Sequence, residues 1–165
     1  MARYSMIRDR SRVRAEARSS LHPILVETAG FEGQLEAEIA GGEVRLSPPT
    51  FIELEVALLK SNNALVDGEL QRKLESRRHP RIRGELREAE PLPGGRARLR
   101  GELTLHGVTR QMDVEVSLRA TGSELELSGE KTIDMRDFDL VPPRFLIFKV
   151  DPLVRIRAVL VARLP

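Results

Sequence analysis

From Ala97 to Ala120 apolar and polar residues alternate almost without a break. Ala97, Leu99, Gly101, Leu103 and Leu105 share one parity, and Arg96, Arg98, Arg100, Glu102 and Thr104 share the other. After His106-Gly107 the pattern resumes, with Met112, Val114, Val116, Leu118 and Ala120 set against Gln111, Asp113, Glu115, Ser117 and Arg119. Side chains along a strand change face at every residue, so this is a hairpin with one apolar and one charged face. Gly107 supplies the positive φ that a tight turn favours.

The same period runs through most of the chain. It appears at Val13, Ala15 and Ala17 after a Tyr4–Ile7 lead-in, in the strand-like ILVET run, and from Phe31 through Gly33, Leu35 and Ala37 to Ile39. Gly41-Gly42 turns the chain into a short return strand at Val44 and Leu46, which Pro48-Pro49 breaks before Ile52, Leu54, Val56 and Leu58. Ile82, Gly84 and Leu86 precede a turn over Pro91–Gly95, and further strands carry Leu125, Leu127, Gly129, Ile133 and Met135, then Val154, Ile156, Ala158, Leu160 and Ala162. One helix is predicted over about 63–77. Asn63 is its N-cap, Leu65, Val66, Leu70 and Leu74 its apolar stripe, acidic residues come early and basic ones late, and His79-Pro80 stops it.

About eight main strands in antiparallel order with one inserted helix make the chain, residues 1–165, a single all-β domain, and the inward residues favour a barrel over a sandwich. Many are small: Ala15, Ala17, Gly33, Ala37, Gly84, Ala97, Gly101, Ala120, Gly129, Ala158 and Ala162. Either they leave a cavity or they permit close approach and curvature of the wall.

Charged residues make up 32% of the chain, yet the net charge is only +2 and Arg alternates with Glu along the strands. No basic stripe results, and aromatics at 4% offer no stacking platform, which excludes nucleic acid as a partner. The absence of cysteine removes disulfides and thiolate chemistry. The Arg-rich start lacks the apolar core of a signal peptide and no run suffices for a spanning helix, so the expected location is cytoplasmic with no membrane-spanning segment. No nucleophile elbow, phosphate loop, paired catalytic carboxylates or HExxH is present, and the reading is a non-enzyme without cofactor.

Several stretches together resemble the YceI-like family, lipocalin-like proteins also called polyisoprenoid-binding. RGELTLHGVTRQMDVEV (Arg100–Val116) is similar to that family's G-x-L-T-x-H-G-V-T hairpin. LKSNNALVDGELQRKLESRRHPRI (Leu59–Ile82) resembles its helix ending in His/Tyr-Pro, and GEKTIDMRDFDL (Gly129–Leu140) its segment ending in R-x-D-F-G, with Asp139 in place of the Gly. Arg83-Gly84 replaces the aromatic that commonly follows the His-Pro strand start. The resemblance implies an extended eight-stranded antiparallel lipocalin-like barrel, capped by the helix and holding a long isoprenoid or similar amphiphile in an apolar tunnel.

The residues expected to line such a tunnel are Val13, Ala15, Leu35, Leu54, Val56, Ile82, Leu86, Leu99, Leu103, Met112, Val114, Val116, Leu127, Ile133 and Ile156. Lys131 falls on the inward parity and is a candidate head-group anchor, unless a bulge or the rim turns its ammonium outward. Arg136 is a second candidate, able to clamp a phosphate or to pair with a neighbouring carboxylate. Phe138, Phe145, Leu146 and Phe148 either edge a portal or plug one end. The three histidines lie far apart in the chain without a ligand motif, so no metal site is expected and each reads as structural.

The function expected is sequestration or transport of a polyisoprenoid-like lipid by burial alone. The alternative is a filled barrel acting as a structural or interaction module, and a third reading, an enzyme, would need Lys131, Arg136 and His106 to converge. A second copy of the chain, in a homodimer, stays open as a partner.

Overall fold

In the computed structural model, residues 1–28, 30–142, 144–145 and 148–165 are described, with side chains considered outside 143–148. The strands are β1 (Ala2–Met6), β2 (Arg12–Ser19), β3 (Ile24–Thr28), β4 (Phe31–Ala40) and β5 (Glu43–Glu55) before the helix α1 (Ala64–Lys73). After it come β6 (Arg81–Leu92), β7 (Arg96–Leu105), β8 (Val108–Thr121), β9 (Glu124–Asp134), β10 (Arg144–Phe145) and β11 (Phe148–Arg163).

β1, β4, β5, β6, β7, β8, β9 and β11 pair antiparallel in that order, and β11 returns to β1 through Ser5↔Arg163 and Met6↔Ala162. Eight strands thus close a barrel, as the alternation predicts. β11 is long enough to pair twice on one edge. Ala162 and Arg163 meet β1, whereas Val150 to Val159 meet β2, which carries β3 on its far side. A 3₁₀ turn over Arg8–Arg10 separates β1 from β2. There the buried Ser11 hydroxyl donates to the Val161 carbonyl at 3.2 Å and accepts from the Val161 amide at 2.9 Å, replacing the missing ladder bonds.

Three boundaries differ from the sequence reading. The segment read as two strands around Pro48-Pro49 is the single strand β5. Its register against β4 shifts between Gln34 and Glu36, and the Thr50 hydroxyl bridges the bulge by accepting from the Glu36 amide and donating to the Ser47 carbonyl. A bulge tolerates prolines because its ladder bonds are already interrupted. Beyond β5, Val56–Leu58 form a 3₁₀ turn rather than strand. Finally, α1 stops at Lys73, because Glu75 takes a φ of +49° that no helix continues. Leu65 also leaves the expected stripe and is 76% exposed, while Val66, Leu70 and Leu74 turn toward the barrel.

The interior divides in two. Around Tyr4, Phe31, Leu35, Val116, Leu125 and Ala162 the barrel is solidly packed. Toward α1 the buried residues form two smaller groups, one around Val56, Leu74, Leu105, Ile133, Phe138 and Leu140, the other around Ala17, Ile24, Val66 and Val150. Outside, the charged parity is laced into cross-strand pairs such as Arg98–Glu115, Arg87–Glu102 and Arg157–Glu130, which explains why so many arginines make no basic stripe. Glu53 on β5 is among the most enclosed of these carboxylates. Hydrogen bonds from Arg81 and Arg83 on β6 hold its pKa below the ordinary glutamate value.

A carboxylate with a lowered folded-state pKa stabilises the fold above its unfolded pKa, and the contribution disappears as pH falls through the folded value. Glu53→Gln is therefore expected to cost about 1 kcal/mol at neutral pH, with the difference from wild type closing in acid below the normal glutamate range. Urea unfolding of both proteins across that pH range measures it. A difference that stays constant with pH would show that the ion pairs contribute nothing.

Candidate functional site

Beneath α1 lies a cavity of about 320 Å³. Its wall comes from β2, β3, β5, β6, β7, β9 and β11, and its roof from Val66, Leu70, Lys73 and Leu74 on and just after the helix. Among the described residues, every one that lines it except Lys73 is apolar or Gly. Val141 both lines it and is 68% exposed, so the cavity reaches solvent beside the helix. Among the described residues no buried side-chain polar atom lacks a hydrogen bond, so the interior has no polar group waiting for a partner.

The roof is held by a few specific bonds. The Asn63 side chain caps α1 by accepting from the amides of Leu65 and Val66 at 2.9 and 3.3 Å. Asp67 accepts from both the amide and the hydroxyl of Ser61, and the Gln71 side chain donates to the Val56 carbonyl at 2.7 Å, fixing α1 to the end of β5.

Of the residues expected to line a tunnel, Val13, Ala15, Leu54, Ile82, Leu103, Ile133 and Ile156 do border this cavity. Leu35, Leu86, Val116 and Leu127 are instead part of the packed half, with Leu99 and Val114 packed against it. Val56 and Met112 belong to the group around Phe138. Small residues serve both purposes that the sequence left open. Ala15, Ala17, Gly84 and Ala158 border the cavity. Gly33 and Gly101 permit close approach, since a Cβ at either would stand 2.4 or 2.2 Å from a backbone oxygen of the neighbouring strand. The roof and β3, with Ile24 and Val26, were not among the expected lining. The helix stripe was the sequence signal for the roof and the strand-like ILVET run that for β3, and both read equally well as ordinary packing.

Lys131 lines a shallow charged groove on the barrel's flank with Arg87, Arg100, Glu102 and Asp113, close to where the β8–β9 ladder stops at Val116↔Gly129. Arg136 is paired with Asp134, its Nε and Nη2 donating at 3.0 and 2.7 Å, and these bonds hold the Asp134 carboxyl below its usual range. Asp139, standing where the resemblance has glycine, adopts a φ of +56°, a left-handed conformation that aspartate tolerates. Phe138 is fully buried and plugs the barrel near the helix. The expectation for Phe145, Leu146 and Phe148 lies outside the described residues and side chains.

The histidines depart from the sequence reading. His106 and Gly107 form the two-residue tip between β7 and β8, both at positive φ. The fold carries the chain after α1 over this tip, so His79 meets His106 edge to face with ring centroids 5.3 Å apart. His106 Nδ1 lies 3.0 Å from the Phe138 carbonyl oxygen, and its Nε2 lies 2.7 Å from Glu75 Oε2. The hydrogen bond with His106 is the main reason the Glu75 carboxyl lies below its normal pKa. Thus Lys131, Arg136 and His106 each have different neighbours, and what gathers at His106 is Glu75 and His79.

Three comparisons place this geometry among known proteins. Residues 4–162 match the model of the YceI-like domain. The Burkholderia cenocepacia protein BcnA is similar in structure, with a TM-score of 0.82, 17% identity, and coverage of 95% of this chain and 99% of that one. A polyisoprenoid binding domain from Saccharophagus degradans, implicated in plant cell wall breakdown, aligns with a TM-score of 0.74 at 13% identity over 98% of each chain. A YceI protein from Campylobacter jejuni aligns with a TM-score of 0.71 at 13% identity, over 85% of this chain and 84% of that one. No curated protein sequence matches. At these identities the structural neighbours show the fold.

The division between packed and open halves is testable by filling each. Leu99→Trp is expected to destabilise the protein by about 1–3 kcal/mol, because it overpacks a full core. Ala15→Trp, facing open space, is expected to stay within about 1 kcal/mol of wild type or to exceed it. Equal losses in urea unfolding would mean that the space beneath α1 is not open.

Proposed function

The chain belongs to the YceI-like family, and from that premise we propose that it binds a polyisoprenoid or similar long amphiphilic lipid in the cavity beneath α1, without catalysis, to sequester or carry it. The observation that carries this reading is the chemistry of the lining, in which Lys73 is the sole charged residue among those described. Such a space can reward only apolar surface, at roughly 25 cal/mol per Å² removed from water. The polyisoprenoid binding domain of Saccharophagus degradans, built on the same fold, supports the ligand class.

The volume of about 320 Å³ holds roughly ten methylene-sized groups if each takes about the ~30 Å³ of a water. The enclosed part of the ligand is therefore a short stretch of chain, and a longer one leaves past Val141 or displaces the roof. Lys73 stands at the roof, where its ammonium can stay hydrated while its stem covers apolar chain. Lys131 and Arg136 lie away from the lining, so we assign neither a role in gripping the buried chain.

The packed half of the barrel favours a second reading, a module that holds no small ligand. Native mass spectrometry of freshly purified protein separates the two. Lipid binding predicts a discrete added mass that solvent extraction releases as an isoprenoid or other lipid, and that Ala15→Trp removes without unfolding the protein. A bare polypeptide mass, unchanged after incubation with isoprenols and fatty acids, would sink the lipid reading.

A further inference from the structure

We propose that Glu75, His79 and His106 form a binding site for one divalent transition-metal ion of the zinc class, which would staple the segment after α1 to the rim of the barrel. The argument begins with the two nitrogens of His106. Nδ1 lies 3.0 Å from the Phe138 carbonyl oxygen, which can only accept, so the ring proton sits on Nδ1. In the neutral ring Nε2 then carries a lone pair, yet it faces a Glu75 carboxylate oxygen at 2.7 Å. That nitrogen and that carboxylate oxygen are both metal-ligand atoms, and the fold has already brought them side by side.

His79 adds a third: one ligand atom from each of Glu75, His79 and His106 lies within 4.8 Å of the others. Ligands on a common zinc ion stand about 3.3 Å apart when each bond is ~2.0–2.1 Å and the geometry tetrahedral, so small side-chain rotations would complete the site. Two imidazoles and a carboxylate select zinc-like ions over magnesium or calcium, which favour all-oxygen shells, and leave a fourth position for water. The bond from Nδ1 to a backbone carbonyl is the outer-shell contact that orients metal-bound histidines.

The backbone prepares the cluster. The His79 amide donates to the Glu75 carbonyl at 2.9 Å, which holds both residues in one turn. Gly107 leaves room for the His79 ring, since a Cβ there would lie 2.6 Å from His79 Cε1. The Glu75 and His106 side chains are 40% and 14% exposed, so an ion can enter from solvent. The site stands whatever the cavity holds.

Untagged protein stripped with a chelator and titrated with Zn²⁺ alone in a calorimeter tests the proposal. One ion per chain is expected, with no competition from Mg²⁺ and a rise in the unfolding midpoint when Zn²⁺ is present. His79→Phe is expected to weaken Zn²⁺ binding at least about tenfold, since losing even an outer partner of a metal ligand costs that much. The same variant should leave the metal-free midpoint unchanged, because the His79 side chain makes no hydrogen bond among the described residues. His106→Asn should lose binding as well. If it fails to fold, His79→Phe decides alone. No saturable one-to-one binding, or binding that His79→Phe leaves unaltered, would overturn the site and leave the His106–Glu75 hydrogen bond as a purely structural contact.

Discussion

Closure of the ring through β11 is the constraint on which everything else depends. One strand of 16 residues pairs along one edge with β9 and along the other with β1 and β2 in succession. Every main-chain group it could offer to water or to another chain is thereby committed near the seam, and Ser11 supplies the bonds where β1 gives way to β2. A wall closed in this way need not be filled to be stable, because most of its backbone bonds are made between strands of the ring. That freedom is what permits an interior packed at one end and open at the other.

The open end owes its existence to the sizes of a few inward residues. Where β2, β6 and β11 face the helix they present Ala15, Ala17, Gly84 and Ala158, and the volume those side chains do not occupy remains as space. At the opposite end bulky Phe31, Leu35 and Leu125 close the gap. An apolar lining makes the empty space costly to hydrate.

Much of the barrel is legible in the sequence because period-two alternation is a strong signal wherever one face is buried. The hairpin Arg96–Thr121, the glycine-containing tips and the capping role of Asn63 all follow from local chemistry. What local pattern does not reveal is depth along the barrel axis. Leu99 and Leu103 share a strand and a parity, yet one packs against the full core and the other borders the cavity. Parity tells inside from outside but carries no information about which level of the interior is full. The histidine cluster was hidden for a related reason: it depends on chain crossing from the helix to a hairpin tip, and His79 and His106 stand 27 positions apart in the sequence. Prolines misled at β5, where side-chain bonds from Thr50 keep one strand continuous across a bulge.

The attachment of α1 has a kinetic consequence. Within the helix only Val66 is fully buried, and polar anchorage rests on the bonds made by Asn63, Asp67 and Gln71. The barrel wall is held by antiparallel ladders between every pair of neighbouring strands. Segments with little burial open at a small fraction of the global unfolding free energy. For the proposed lipid, capacity and residence time are therefore separate properties, one set by the staves and the other by a short hatch that can lift while the staves stay joined.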